Sequence, residues 1–514
     1  MINTQSSTPA GKAEQRLERG LPYVDRALSS EEYVAKAMPA TLGKFDMTVT
    51  YVMALFLISN AVVGATGGAV SLIYLGLGAV VFFLPCVVAT TQLGVMFPFE
   101  GSLYNWTHKA LGNFWGFFIT LCFWLTGVLA VITAGSAFVT TLQGLNNAWL
   151  NSPWQQGVVI LVLATFGGVV GLQRMRTTQN IINGIFFLTL FAVVLIGMAA
   201  VVWLATGHHV ATNFADPTGW QVNPGNFFLF AIITLSFIGA SGPLNMASEI
   251  QGRGKPQLSS IIRSHLLWGT PIVILFYFIV TLSVLIVRGS NILNAPVLPF
   301  EAFTAVSMAL GSVFGNIAVV CFLCYCVAAI IFYTYASARL LMAAGIDQRL
   351  PTRFGRLNRN RVPGFAVIFQ TCSGAIVAVL VFILIPAVAN IGGNAANTLV
   401  EIYNVMSAST TLIWTIATTF FFVNIFFIFR QDPHRFRSQR QFPMLVIWLS
   451  VLIGGGACLL TIGGILKYPW IPLISDGQWW YIVGGLTLVL LIIAGIASMF
   501  ANSEASYEAA YRGE

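Results

Sequence analysis

Charged side chains are scarce in this sequence. Asp, Glu, Lys and Arg make up 8% of the 514 residues, whereas hydrophobic residues make up 57%. A soluble globular domain carries about 25% charged residues, so the composition excludes that class. The stretch from Ala110 to Gln173 contains none of the four charged types. Because one membrane span needs about 20 apolar residues, this stretch predicts more than one span, and the chain is interpreted as an integral membrane protein embedded in a lipid bilayer.

Cysteine and histidine are also few, with 7 and 5 residues. All the cysteines fall in apolar segments, which favours a packing role over a disulfide framework. Cys321, Cys324 and Cys326 have no His or carboxylate nearby in sequence, so we expect neither a metal site nor a cofactor. The first 45 residues lack the apolar core of a signal peptide. We expect residues 1–44 to form a cytoplasmic tail that is disordered or loosely helical.

Twelve apolar segments follow this tail. They lie at approximately 47–69, 72–97, 114–143, 155–173, 180–205, 226–250, 267–287, 313–343, 363–388, 400–429, 442–466 and 479–501. If the amino terminus is cytoplasmic, all of the 25 Lys and Arg residues except Arg288 and Lys467 fall on the cytoplasmic side. Since positive residues concentrate in cytoplasmic loops, this distribution predicts a multi-pass protein of the plasma (inner) membrane with both termini cytoplasmic. It also accounts for the net charge of +8 without a nucleic-acid partner.

Two places within the apolar segments are rich in helix-breaking residues. One is the stretch from Phe237 to Pro243, and the other is the stretch from Gly64 to Gly68 in the first segment. Lipid cannot satisfy freed backbone groups, so a broken helix is tolerated only beside protein or a water-filled cavity. Paired breaks in the two halves of a polytopic protein indicate a transporter's binding site. Close packing of helices through small residues is the alternative for each stretch.

Motifs of competing function classes are lacking. The sequence has no Gly-x-Ser-x-Gly, no intramembrane carboxylate dyad and no Walker motif, which argues against a membrane-embedded enzyme and against ATP-driven transport. The repeated selectivity-filter segments of a channel are also missing. A secondary transporter is therefore the prediction, and a sensor built on the same fold is an alternative that the sequence leaves open.

Three stretches resemble motifs of one transporter superfamily. They are Gln92 to Gly112, with Pro98, Gly101 and Trp106; Leu235 to Glu249; and Ser337 to Pro363, with Arg339 and Asp347. This pattern resembles the amino acid, polyamine and organocation transporter superfamily. The resemblance implies an all-α polytopic fold of the leucine-transporter type, in which spans 1–5 (residues 45–205) and spans 6–10 (residues 226–430) are inverted repeats and spans 1 and 6 are discontinuous. Spans 11 and 12 (residues 442–501) and a cytoplasmic tail (residues 502–514) would follow.

The resemblance also implies where a substrate binds. Half-helix amino termini attract a carboxylate and freed carbonyls attract an ammonium group, so the expected substrate is an amino acid. The expected binding residues are Val62, Gly64, Ala65, Thr66 and Gly67 in span 1, and Leu235, Phe237, Ile238, Gly239 and Ser241 in span 6. The central parts of spans 1, 3, 6, 8 and 10 contain no carboxylate, which favours a neutral amino acid. An amino acid/polyamine exchanger is the alternative.

Ion coupling and gating have fewer signals. Thr334 and Ser337 of span 8 share one helix face, where their hydroxyls suit a sodium ion, although such hydroxyls usually bond to their own i−4 carbonyls. Span 5 lacks the lysine found in proton-coupled relatives. Na+ symport, H+ coupling and substrate exchange are all compatible with the sequence, and the oligomeric state is not predicted. Asp46, Glu249 and Arg339 are candidates for an inner gate, or else ordinary helix-end residues.

Overall fold

The computed structural model describes residues 23–25, 27–146, 148–252, 255–295, 297–388, 395–470 and 476–511. Within these ranges the regular structure is helical, and the one β-type contact is an isolated bridge between Leu42 and Ile250. Eleven helices and one bent helix pair can cross a membrane, giving up to 12 spans. In chain order, spans 1 to 12 are Lys44–Leu55 with Ile58–Gly67, Val70–Met96, Asn113–Leu145, Pro153–Gly171, Met175–Ala205, Pro224–Glu249, Pro256–Val287, Ser312–Ile346, Gly364–Leu384, Asn404–Gln431, Met444–Lys467 and Gly477–Ala501. The predicted all-α polytopic fold is confirmed.

Spans in corresponding places of the two halves lie against each other. Span 2 contacts span 7, span 3 contacts span 8, span 4 contacts span 9, and the second part of span 1 contacts the first part of span 6. Spans 3 and 8 approach closely at Gly127, where an added methyl group would lie 1.9 Å from the Ser337 Oγ. Span 11 lies against spans 2 and 10, and span 12 lies against span 3. The broken spans 1 and 6 thus pack against unbroken spans, among them spans 5, 7 and 8 around span 1 and span 11 beside span 6.

Span 6 is broken where the sequence predicts it. An α-helix occupies Phe228–Phe237, and a 3-10 helix occupies Gly242–Glu249. Between them Ile238 is extended (φ −79°, ψ 145°) and Gly239 has φ +107°. Only glycine adopts such a positive φ without strain, and Pro243 lies in the first turn of the second helix, where its missing N–H is tolerated. The residue composition of this stretch therefore accounts for the break.

The break in span 1 differs from the prediction. The helix Lys44–Leu55 ends at two extended residues, Phe56 and Leu57, and the chain then turns by 43° into Ile58–Gly67. Gly64, placed at the break by the sequence argument, is helical (φ −60°, ψ −30°), whereas Gly68 has φ +70°. The glycine cluster therefore forms the tight turn into span 2, and the predicted position of the break is wrong.

The side at which span 1 begins is called here the amino-terminal face. Residues 23–25 and 27–43, the amino-terminal strap, cross this face and include the helix Ser29–Ala37. The backbone N–H groups of Thr41 and Leu42 donate to the Glu249 carbonyl at 2.8 and 2.9 Å. The strap is thus docked on the end of span 6, in contrast to the expected disordered or loosely helical tail. Residues 1–22 of that tail lie outside the described residues.

Candidate functional site

Three tyrosines satisfy the backbone carbonyls that the break in span 1 sets free. The last four carbonyls of a helix have no partner within it, and a membrane supplies none. The three tyrosine hydroxyls donate from Tyr325 to the Met53 carbonyl (3.1 Å), from Tyr333 to the Ala54 carbonyl (2.8 Å) and from Tyr277 to the Leu55 carbonyl (2.8 Å). The Leu57 N–H also donates to the Tyr277 hydroxyl at 3.1 Å. Spans 7 and 8 therefore hold the break open.

A central cavity lies between the two breaks and spans 3, 8 and 10. Its volume is about 60 Å³, which is room for about five water molecules on this measure. It is lined by Ala54, Leu55, Leu57, Asn60, Ala130, Thr133, Ala134, Leu235, Ile238, Tyr325, Ala329, Tyr333, Ser407, Thr410 and Trp414. None of these residues is charged. The cavity is therefore a neutral site whose polarity comes from hydroxyl, amide, indole and backbone groups.

Two buried side chains at this cavity have unused hydrogen-bonding atoms. The Ser407 Oγ and the Trp414 Nε1 have no partner, although Ser407 is only 4% and Trp414 only 6% exposed. The hydroxyls of Thr133 and Thr410 are different, because each donates to the carbonyl one turn earlier in its helix. An unpaired buried donor costs about 1–3 kcal/mol, so a ligand acceptor placed here would recover that free energy.

Trp414 also forms the floor of the cavity. It lines both the central cavity and a second one of about 10 Å³, whose lining includes Gly239, Asn245 and Ser337. Because a methyl group on Gly239 would lie 2.9 Å from the Trp414 Cζ2, the indole ring packs directly on the break in span 6. The ring therefore separates the central cavity from the smaller one.

The predicted binding residues fall into two groups. Leu235 and Ile238 line the central cavity, and Gly239 lines the smaller cavity beneath it. Phe237 is fully buried, stacks on Phe83 at 4.8 Å and is not among the residues that line the central cavity. Ser241 is fully buried, with an unpartnered Oγ. Three of the five residues predicted in span 6 therefore line one of the two cavities.

The span 1 candidates lie elsewhere. Val62, Gly64, Ala65, Thr66 and Gly67 are not among the residues lining the central cavity. The Thr66 hydroxyl donates to the Val63 carbonyl at 2.7 Å, and a methyl group on Gly67 would meet Leu229 at 2.3 Å. Since the break lies earlier in the chain, this group packs at the turn between spans 1 and 2.

The candidate ion-coupling hydroxyls are engaged locally. The Thr334 Oγ1 donates to the Ile330 carbonyl at 2.7 Å, which is the i−4 hydrogen bond common for hydroxyls in apolar helices. Ser337 faces Gly127 of span 3 and lines the smaller cavity. Among the described residues no group of three or more His, Cys, Asp or Glu side chains could hold a metal ion. A sodium site at these hydroxyls stays a prediction.

Two of the three predicted gate residues form a buried ion pair. The Arg339 Nη2 donates to the Glu249 Oε1 at 2.9 Å, and both side chains are at most 1% exposed. Asp46 is separate, because it pairs with Arg176 at 2.9 Å. Sequence reasoning missed Glu100, whose Oε1 lies 3.8 Å from the Arg339 Nε. The signal available was that Glu100 belongs to the motif between Pro98 and Gly101, and is one of only 17 acidic residues.

Burial raises the pKa of the Glu100 carboxyl well above its usual range, and the nearby Glu249 carboxylate raises it further. Arg339 and the Ser248 N–H act in the opposite direction. Desolvation dominates because the side chain is only 1% exposed. The amino-terminal face is therefore closed by a dry network of ionisable groups.

The sequence of this chain matches the model of a known protein family. Residues 41–496, from the end of the strap into span 12, match the family model described as amino acid permease. The chain belongs to the amino acid permease family. This permease is thus a multi-pass membrane protein, and its family consists of transporters and not of enzymes.

Curated relatives of the permease are distant. An uncharacterized transporter of Legionella pneumophila is 24% identical over 233 residues, which are 44% of this chain and 49% of that protein. The gamma-aminobutyric acid permease of Bacillus subtilis is 21% identical over 342 residues, which are 63% of this chain and 68% of the relative. A polyamine transporter of Oryza sativa is 37% identical over 67 residues, 13% of each chain. The permease thus spans about half the length of the first relative.

Proposed function

We propose that this permease is a secondary transporter that moves small neutral amino acids by alternating access, with the substrate bound in the central cavity. The observation that carries the proposal is the position and lining of that cavity, which touches both broken spans and has no charged residue among its lining. Membership of the amino acid permease family supports the substrate class. Binding beside both breaks couples occupancy to the angle between their half-helices.

The cavity offers complementary groups to the two ends of an amino acid. The Trp414 Nε1 and the Ser407 Oγ are unpaired and suit the carboxylate as hydrogen-bond donors. The helix Phe228–Phe237 ends beside the cavity, so its last carbonyls, including that of Leu235, suit the ammonium group. In this proposal the carbonyl of Ile238, a residue whose backbone is extended at the break, binds the ammonium group together with that of Leu235.

A polyamine is the second candidate, because one relative is named a polyamine transporter. Each further ammonium group of a polyamine would need a counter-charge, since an unpaired buried ion costs several kcal/mol. The described lining of the cavity provides none. An amino acid, whose two charges compensate each other, fits this neutral lining better.

The amino-terminal face is proposed to be the cytoplasmic face of the plasma membrane. The concentration of Lys and Arg on that side supports this orientation. The strap and the Arg339–Glu249 pair close this face, whereas Leu57, Asn60 and Tyr333 at the cavity are partly exposed. The structure would then correspond to a state closed to the cytoplasm, and transport would require this face to open.

Uptake into proteoliposomes tests the proposal. Purified permease is reconstituted and given labelled neutral amino acids, dibasic amino acids or polyamines, with an inward Na+ gradient, an inward H+ gradient or internal substrate. We expect uptake of neutral amino acids, and the condition that permits it identifies symport or exchange. Uptake of polyamines alone would overturn the substrate class, and silence of intact protein under every condition would overturn the transport proposal.

A matched pair of variants tests the site. Trp414→Phe removes the unpaired Nε1 donor while keeping an aromatic floor, and we expect substrate affinity to fall by about tenfold to a hundredfold, as for a lost hydrogen bond to a charged group. Trp480→Phe is the control, because Trp480 is 52% exposed on span 12. Equal affinities for the two variants would remove Trp414 from the site.

A further inference from the structure

A buried network at the amino-terminal face contains two carboxyl groups and one guanidinium group. Glu100 lies between spans 2 and 3, Glu249 ends span 6, and Arg339 lies in span 8. As whole residues they are 2%, 0% and 1% exposed. If all three were ionised, the network would carry one uncompensated negative charge. Low dielectric surroundings strongly disfavour such a charge, so one carboxyl group has reason to be protonated.

Hydrogen bonding identifies which carboxyl group is in excess. Arg339 donates to Glu249 at 2.9 Å, whereas its Nε is 3.8 Å from Glu100 and makes no hydrogen bond there. Glu100 accepts one hydrogen bond at Oε2, from the Ser248 N–H at 3.0 Å, and its Oε1 has no partner. Among the described residues, Glu249 thus uses the guanidinium donor that lies in hydrogen-bonding range of this network. Glu100 is the carboxyl group left over.

The other groups that face Glu100 do not supply a second positive charge. Among the described residues, the charged side chains that act on Glu100 are Glu249 from span 6 and Arg339 from span 8, and Tyr335 of span 8 lies beside Arg339. The Tyr335 hydroxyl is buried and unpartnered, and Arg339 lies 5.7 Å from its ring centre. Asp46 and Arg176 form a separate pair. The charge surplus is therefore a property of the three-residue network.

We propose that Glu100 is a proton-binding site whose carboxyl group is protonated when the amino-terminal face is closed and releases the proton to water when that face opens. This inference rests on the alternating-access function proposed above and adds a specific ion to it. Opening must separate Glu249 from Arg339 and admit water, so the O–H bond of Glu100 can break with the proton passing to that water. The ionised Glu100 can then pair with the guanidinium freed from Glu249.

The direction of the pH effect follows from the environment of Glu100. Burial and Glu249 raise its pKa in the closed state, whereas hydration in the open state returns the pKa toward the ordinary value for Glu. The proton therefore stabilises the closed state fully below the ordinary pKa, and this stabilisation is lost as the pH rises towards the closed-state pKa. One proton changes the ratio of closed to open protein by up to about tenfold per pH unit. Acid conditions at this face are expected to close it.

Hydrogen–deuterium exchange of the full-length permease measures this closure. The N–H groups of Thr41 and Leu42 bond to Glu249, and that of Gln251 bonds to Leu42, so their exchange reports opening of the face. Wild type and Glu100→Gln are compared at the same pH, from about pH 5 to about pH 9, which cancels the intrinsic pH dependence of exchange. The control is Glu32→Gln, because Glu32 lies exposed on the strap helix.

We expect wild type and Glu32→Gln to exchange faster than Glu100→Gln by a ratio that grows with pH, by up to about tenfold per unit. A ratio that stays constant with pH overturns the proposal. Infrared spectra of wild type supply a second readout that needs no variant: at about pH 6, where carboxyl groups with ordinary pKa values are ionised, a carboxylic acid C=O band should remain, and it should disappear as the pH rises further. Its absence at about pH 6 overturns the proposal even if Glu100→Gln does not fold. The exchange and infrared measurements do not depend on amino acid uptake. Failure of the proposed transport function and failure of the proton-site proposal can therefore be told apart.

Discussion

Replacing Gly239 with alanine tests whether the break in span 6 shapes the substrate site. A residue other than glycine at φ +107° costs about 1–3 kcal/mol of backbone strain. The new methyl group would lie 2.9 Å from the Trp414 Cζ2 and 3.4 Å from the Cη2, and overpacking of this kind costs about 1–3 kcal/mol. If only about 2 kcal/mol of the total opposes binding, the dissociation constant rises about thirtyfold.

Equilibrium binding of a labelled neutral amino acid to purified protein measures this change, and the melting temperature verifies folding. Gly455→Ala is the matched control, because no atom lies within 4 Å of its added methyl group and Gly455 is in the helix Met444–Lys467. That control should bind like wild type and be no less stable, since alanine favours a helix over glycine. A folded Gly239→Ala variant with wild-type affinity would refute the site assignment.

Three further outcomes are expected. Tyr333→Phe leaves the Ala54 carbonyl without its 2.8 Å donor, at a cost of about 1–3 kcal/mol, so thermal stability or affinity should fall relative to Tyr481→Phe on the exposed surface; equal melting curves and affinities would contradict this role. Thr66→Val should leave uptake unchanged, because its hydroxyl bonds only locally; lost uptake in stable protein would return span 1's glycine turn to the site. Glu249→Gln removes the hydrogen-bonded charge partner of buried Arg339 and leaves it only Glu100, at 3.8 Å, so the amides of the strap should exchange faster; unchanged protection would argue against a closing role.

Some of this architecture is readable from the sequence because the cause is local. The spans follow from long uncharged runs, and their number follows from the distribution of Lys and Arg. The break in span 6 follows from Gly239 and Pro243, whose own backbone chemistry produces it. These features need no knowledge of which residues are neighbours in space.

The break in span 1 is different, because its cause lies far along the chain. Phe56 and Leu57 are ordinary apolar residues, and their extended backbone is stabilised by hydroxyls 220 to 279 residues away. The glycine cluster at Gly64–Gly68 was misleading because a tight turn needs glycine as much as a broken helix does. For the same reason neither Trp414 at the floor of the cavity nor Glu100 in the closing network was predicted. Each owes its role to partners that only the fold brings near.

The amino-terminal strap has a consequence for the biosynthesis of this protein. Its contacts join residues that are far apart in the chain: the Ser30 hydroxyl bonds to Asp347, 317 residues later, and Asp25 pairs with Arg435, 410 residues later. A ribosome adds about 5–20 residues per second, so the strap waits at least about 20 seconds for Arg435. Spans 1 to 10 are therefore synthesised before the strap can complete its contacts on this face.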